Sequence, residues 1–264
     1  MILEALRYMT TSCPRWARRL GYLKEAIGIE ARHRRCRTAW APHLERSRQV
    51  VMKAAGRCER KRTALVAGSG LCLDLPLREL AAIFDRVILL DVVHLPAARK
   101  HGLSNVQHLE LDVTGLSSQL TWKLDHVPEV PVPDFYHIFP DVDLVVSLNL
   151  ASQLPLMPVA YLSKRGLLEN DEDEAAFARA VIDSHFRWLG GFNAVRCLVT
   201  DRRWDVKGVD ERPIRQDDPL YGISLPGPDE LWTWAVAPPG ELANGQWREN
   251  LVAGYMDFSD YASH

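Results

Sequence analysis

No CxxC pair occurs in this sequence, and its five cysteines (Cys13, Cys36, Cys58, Cys72 and Cys197) are odd in number and far apart. That excludes a zinc ribbon, argues against a disulfide framework and suits a reducing, cytoplasmic setting. An uninterrupted apolar start of the secretory kind is also missing, because Glu4 and Arg7 break it. The longest uncharged run, Leu144 to Leu162, approaches a membrane span in length but holds Asn149, Ser152, Gln153, Pro155 and Pro158. It reads as a buried strand running into a loop, so no integral membrane segment is expected. Repeats and low-complexity tracts are absent. His94, His101 and His108 lack metal-ligand spacing with nearby acids, and no metal is expected.

Aspartate is missing from residues 1–62, which carry 16 Lys/Arg against 5 Glu, a balance of +11 within a chain whose net charge is −2. The remainder therefore stands at −13. This asymmetry divides the chain into a basic extension, residues 1–62, and a larger unit, residues 63–264. The extension lacks strand alternation and reads as helices, one within Trp16 to Cys36 and another from about Pro42 to Cys58. Its ARHRRCR run has three readings: contact with the phosphates of RNA or DNA, contact with an anionic membrane surface, or docking on the acidic remainder. Stacking aromatics do not alternate with these basic residues, as they do in common RNA-binding modules.

From Ala64 the pattern changes. ALVAG, RVILLD (Arg86 to Asp91), VQHLELD (Val106 to Asp112), DLVVSLN (Asp143 to Asn149) and AVRCLVTD (Ala194 to Asp201) are short apolar strands. LPLRELAAIF and DEDEAAFARAVIDSHFRWLGG are helices between them, and LWTWAVAP with ENLVAGYMDF forms a terminal strand pair. Strands alternating with helices predict an α/β fold with a mainly parallel, doubly wound, Rossmann-like sheet of seven strands. HVPEVPVPDFYHIFP is a loop before the fourth strand.

Three features of this sheet point to a nucleoside-bearing ligand. Gly68-Ser69-Gly70 breaks the chain just after the first strand, where glycines allow a ligand close to the backbone. Asp91 ends the second strand, placed to accept from both ribose hydroxyls. Asp112, followed by Val113, ends the third, placed to accept from an adenine amino group. The alternative is that both acids merely cap turns or helices.

Glycine turn, strand-end acids and seven strands together resemble a class I S-adenosylmethionine-dependent methyltransferase. The resemblance rests on GSGLCLD, ILLD, LELDVTG and VVSLNLASQLP and covers about Thr63 to Phe258. It implies an antiparallel closing hairpin, S-adenosylmethionine as cofactor, and Gly68, Ser69, Gly70, Asp74, Asp91, Asp112, Val113 and Asn149 as its contacts. One departure is plain: the acid usual two residues before the first glycine is replaced by Val66. Asp74 takes over contact with the ligand's ammonium group or caps the following helix. A short-chain dehydrogenase fits less well, since GSGLCLD is not TGxxxGxG and Tyr161 with Lys164 falls one residue short of YxxxK.

The acceptor end is expected just beyond the fourth strand, where Asn149, Ser152 and Gln153 are polar in an apolar stretch. They orient a substrate amine, hydroxyl or heterocycle, or else bond the backbone in a turn. NPPY, the motif of amino methylases acting on nucleobases, is absent, and a small-molecule acceptor is expected. Trp40 and His43 resemble a lid folded over the ligand, the alternatives being core packing for Trp40 and a solvent position for His43. His185, at helical spacing with Ala178, Val181, Ile182 and Leu189, reads as a core histidine. Two other functions remain: a nucleic-acid methyltransferase using residues 1–62, and a protein that binds the cofactor without turnover.

Overall fold

The computed structural model describes residues 2–209 and 211–259. Four helices come first: α1 (Ile2–Thr10), α2 (Arg15–Leu20), α3 (Tyr22–Arg35) and α4 (Arg37–Arg57). The expected single helix over Trp16 to Cys36 is two, because Gly21 adopts φ 95° and turns the chain between them. The next helix starts at Arg37 rather than near Pro42, which sits inside α4. Its ring removes one intrahelical hydrogen bond, but packing of the helix on the sheet outweighs that loss.

The sheet is built from β1 (Thr63–Ala67), β2 (Arg86–Asp91), β3 (Val106–Glu110), β4 (Val142–Leu148), β5 (Val195–Lys207), β6 (Pro213–Asp217), β7 (Glu230–Ala237) and β8 (Trp247–Tyr255). Its order is β3-β2-β1-β4-β5-β8-β7, parallel from β3 to β5 and antiparallel through β8 and β7. The closing hairpin implied by the resemblance is therefore present. The expected count of seven strands is one short, since β6 pairs antiparallel with the far end of β5. This strand pair was missed because β5 runs on through Arg202, Arg203, Asp205 and Lys207, charged residues that read as loop.

Alternation along the strands divides the core. Ala64, Val66, Val87, Leu89, Leu144 and Val146 face one side, packed with Leu44, Val50, Val51 and Ala54 of α4 and with α5 (Leu77–Ile83). Leu65, Ala67, Ile88, Leu90 and Val145 face the other, packed with Ile182, Phe186 and Leu189 of α7 (Asp171–Gly190). A sheet covered on both faces explains strands that read as continuous apolar runs. Asn170 caps α7 by accepting from the N–H groups of Glu172 and Asp173, both at 2.9 Å. A further helix, α6 (Leu156–Ser163), forms where a loop was expected, because Pro158 lies in its first turn and forfeits no helical bond there.

The charge boundary near residue 62 lies between α4 and β1, yet α4 shares a single core with β1 and β7. Cations of the extension reach across it. Arg35 donates twice to Glu241 at 2.8 Å, Lys53 pairs with Glu230 at 2.6 Å, and Arg62 embraces Asp143. This geometry is the one expected if the basic helices dock on the acidic remainder. Among the described residues, no helix is long and apolar enough to cross a membrane.

Candidate functional site

A cleft of about 500 Å³ opens beyond the carboxyl ends of β1, β2 and β4. The chain runs from β1 outward to β2 and β3, then returns to place β4 on the other side of β1. That reversal leaves a crevice between neighbouring loops, the usual ligand position in open α/β sheets.

The glycine turn forms its floor. Gly68 has φ 80° and Gly70 φ 46°, both in the region that favours glycine. The N–H groups of Gly68 and Ser69 donate to the carbonyl of Leu90, at 3.1 and 3.4 Å, tying the turn to the end of β2. A side chain at Gly68 would meet the Leu148 carbonyl at 2.6 Å and Leu150 Cβ at 2.8 Å. That glycine is thus demanded by the neighbouring chain as well as by any ligand. At Gly70 a Cβ would have only Asp91 Oδ2 in reach, at 3.9 Å.

Three carboxylates line the cleft around this turn. Asp91 accepts from Gly70 N–H at 2.7 Å on Oδ2 and from Val93 N–H at 3.4 Å on Oδ1, leaving lone pairs on both oxygens. Burial pushes its carboxyl up, and these backbone N–H groups pull it back. Asp112 braces its own loop, accepting from Thr114 N–H (2.9 Å), the Thr114 hydroxyl (2.6 Å) and Ser117 N–H (2.7 Å). Asp112 and Val113 both reach the cleft wall.

Asp74 is not a helix cap: Pro76 occupies that position of α5, and Asp74 Oδ2 instead accepts from Asn149 Nδ2 at 2.6 Å. Burial pushes its carboxyl up to about 6, against the pull of the Asn149 bond.

Asn149 follows β4 in the left-handed conformation, φ 49°, and its N–H donates to Val199 at 2.8 Å. Its side chain links Asp74 to His43, whose Nε2 is 3.2 Å away. His43 is buried, stacked on Trp234 at 4.0 Å, and its Nδ1 receives the Trp232 indole N–H at 3.1 Å. Burial lowers its pKa to about 3, so the ring is neutral. Both ring nitrogens then face donors, although a neutral imidazole offers one acceptor.

The remaining expected residues separate. Gln153 lines the cleft and donates to the Asn149 carbonyl at 2.7 Å. Ser152 is buried behind the wall, where its hydroxyl donates to Asp201 at 3.2 Å. Trp40 lines the cleft, with its indole N–H on the Val236 carbonyl at 3.1 Å and its ring edge-on to Trp234. His185 lies in the core against Trp188, 2.7 Å from the Ser147 hydroxyl. Among the described residues no group of three or more His, Cys, Asp or Glu could hold a metal ion.

Sequence reasoning missed Tyr22, Asp201, Trp204, Arg248 and Asn250, all of which line the cleft. Tyr22 opens α3 directly after the Gly21 turn, and burial with the nearby charges of Asp112 and Asp91 pushes its phenol up. The only signal for the others was a strand of mixed charge and tryptophan.

The chain matches no protein-family model and no curated protein. It is similar to several solved structures. A 1,6-didemethyltoxoflavin-N1-methyltransferase of Burkholderia thailandensis, solved with S-adenosylhomocysteine, aligns over 88% of this chain and 87% of that one, at 12% identity and a TM-score of 0.36. An amino pentose methyltransferase from Micromonospora echinaspora aligns over 76% and 56%, at 18% identity and a TM-score of 0.28. A sugar N-methyltransferase from Streptoalloteichus aligns over 60% and 46%, at 18% identity and a TM-score of 0.27. Likeness this remote fixes neither activity nor substrate, which must be read from the site.

Proposed function

We propose that this protein is an S-adenosylmethionine-dependent methyltransferase acting on a small molecule. One observation carries the reading. Asp74, Asp91 and Asp112 surround a glycine turn at the crevice of the sheet, and none of the three is bonded to Lys or Arg among the described residues. A dinucleotide would bring its pyrophosphate to such a turn and meet repulsion. S-adenosylmethionine carries a sulfonium and an ammonium, and an acidic crevice suits it.

The residues fit the cofactor as follows. Asp91 keeps acceptor capacity for ribose hydroxyls, Val113 and Asp112 border the adenine position, and the buried carboxylate of Asp74, ionised above pH about 6, gains a cationic partner in the ammonium. Asp74 thereby supplies the acid that Val66, buried within β1, does not. Tyr22, Ala26 and Ile29 of α3 form a wall of the cleft; in this reading residues 1–62 cover the ligand and exclude water.

When bound, the cofactor supplies a methyl group already activated by its sulfonium. The protein's task is then alignment of the acceptor, worth several powers of ten in rate. Asn149 is fixed for that role from three sides, by the Val199 carbonyl, Asp74 and His43. Gln153 braces Asn149 and Trp40 walls the acceptor. His43 orients Asn149 rather than acting as a base, since burial keeps it neutral far below physiological pH. The free cysteines fit a cytoplasmic setting.

Calorimetry with S-adenosylhomocysteine and with NADH tests the cofactor; tight NADH binding would overturn the reading. Labelled S-adenosylmethionine incubated with a metabolite extract and, separately, with RNA tests the reaction. Label is expected in the small-molecule fraction. Binding without transfer to either would instead favour a non-catalytic protein, the reading that Val66 motivates.

A further inference from the structure

The far end of the cleft is built differently from the cofactor end. Trp204 of β5, Asn250 of β8 and Trp234 of β7 are direct neighbours across three antiparallel strands, Trp204 opposite Asn250 and Asn250 opposite Trp234. Residues in such register share one face of the sheet. Asp201 stands against this row. Its Oδ2 accepts from Trp204 Nε1 at 2.8 Å, Asn250 Nδ2 at 3.0 Å and the Ser152 hydroxyl at 3.2 Å.

That crowding leaves the carboxylate lopsided. Three donors converge on Oδ2, while Oδ1 is buried with no partner among the described residues. Asp201 is 4% exposed, and a carboxylate oxygen without a donor in such a place is costly. The same is true on the neighbouring strand, where the buried indole N–H of Trp234 has no acceptor among the described residues. Both residues line the cleft. The wall therefore lacks one donor and one acceptor.

Charge narrows the choice. Arg248 lies over the Trp204 ring at 4.2 Å and donates to Asn250 at 2.9 Å, within the field of Asp201. Asp201 thus has a countercharge already, and a second cation would be repelled by Arg248. A neutral N–H suits Oδ1 better than an ammonium does. Trp40, Trp204 and Trp234 all line this end, so its wall is largely aromatic and suits a planar guest.

We infer that the acceptor end of the cleft binds a neutral, planar nitrogen heterocycle, whose ring N–H donates to Asp201 Oδ1 and whose acceptor atom takes the Trp234 Nε1–H. Asp201 and Trp234 are specificity-determining residues in this assignment. It rests on the proposed methyl-transfer function only in calling the heterocycle the acceptor substrate; the recognition itself stands apart from the cofactor.

The test uses the full chain and a matched pair of probes, 2-pyridone and N-methyl-2-pyridone, which differ in the ring N–H. Ligand-observed NMR titration should show 2-pyridone binding at least about tenfold more tightly than its N-methyl derivative, and more tightly than benzylammonium. Asp201→Asn puts a donor where Oδ1 was and should abolish the preference while leaving S-adenosylhomocysteine affinity unchanged. Trp234→Phe, which removes the indole N–H while keeping an aromatic ring, should weaken 2-pyridone by a smaller factor. Equal binding of the two pyridones, a preference that survives Asp201→Asn, or no 2-pyridone binding at about 10 mM would overturn the inference. The two failures separate cleanly. S-adenosylhomocysteine binding without pyridone discrimination sinks this inference alone. Discrimination without S-adenosylhomocysteine binding sinks the methyltransferase reading and leaves a heterocycle pocket.

Discussion

Asp91 holds Gly70: one of its carboxylate oxygens accepts the glycine N–H at 2.7 Å, so the residue placed to receive a ligand also shapes the turn beneath it. Truncation to alanine would therefore disturb turn and ligand together. Asp91→Asn separates them, because the amide oxygen can keep the Gly70 bond while its NH₂ loses the second acceptor. This variant should fold normally and bind S-adenosylhomocysteine about 10–100-fold more weakly, the scale of hydrogen bonds to a charged group. Calorimetry on the folded variant decides it, and unchanged affinity would remove Asp91 from the cofactor site.

The two glycines of the turn should respond differently. Gly68→Ala places a Cβ 2.6 Å from a backbone carbonyl at positive φ, and backbone cannot swing aside. It should destabilise the fold by about 1–3 kcal/mol or more in urea denaturation. Gly70→Ala has room, so it should cost about 1 kcal/mol of stability yet still obstruct the ligand. Equal stability losses would mean that the close approach of β4 to the turn is not the constraint.

Asn149→Ala offers a test of alignment. If Asn149 orients the acceptor, the variant should lose turnover at least about 100-fold with cofactor affinity nearly intact. If it only braces the turn between Asp74 and His43, melting temperature and cofactor affinity should fall with turnover. All three are measured on one preparation.

Asp74 carries opposite expectations for fold and ligand. Its carboxyl titrates near 6 in the folded protein, above the unfolded value of 3.8. The folded state thus binds a proton that the unfolded chain releases, and this contribution is complete below pH 3.8 and lost as pH rises through 6. At pH 8 the ionised carboxylate is a burden. Asp74→Asn should raise the melting temperature of the ligand-free protein there by roughly a few degrees. The same variant should weaken S-adenosylmethionine binding, because the ammonium loses its counter-charge. Thermal scans with and without the cofactor check both signs.

His185 works the other way with pH. Burial lowers its pKa to about 3 from 6.5, so the folded core keeps it neutral while the unfolded chain takes up a proton below 6.5. Its contribution is full above pH 6.5 and drains away as pH falls toward 3. A His185→Gln variant should show a stability profile flatter by up to about 1.4 kcal/mol per pH unit between pH 6 and 4. Asp74 runs opposite in part of this window, so the difference between variant and native protein is the quantity to compare.

Much of the glycine-turn end of the cleft could be read from the sequence because it is local. Gly68, Gly70, Asp91 and Asp112 each sit at the end of a short apolar strand, and a strand end has a known place in a parallel sheet. Asp74 could not be resolved between cap and ligand contact, since its partner, Asn149, is 75 residues away and meets it only in the fold. Ser152 shows the opposite limit: a hydroxyl near the right place turned its back on the cleft to reach Asp201. The far wall of the cleft was illegible for the same reason. Trp204, Asn250 and Trp234 become a row only once β5, β8 and β7 pair, and the charges beyond Asp201 concealed that β5 runs on to Lys207.

The course of β5 has a consequence for redesign. Within its 13 residues the carbonyl that fixes Asn149, Val199, lies five residues before Trp204, on the order of 17 Å at about 3.3 Å per residue. In the proposed reading, one strand thus joins the loop that aligns the acceptor to the wall that selects it. Substitutions in the distal hairpin can change the guest without retuning the donor's seat. If the proposed reading holds, one chassis can be refitted for new acceptors through a few residues on β5, β7 and β8, while its first four strands stay as they are.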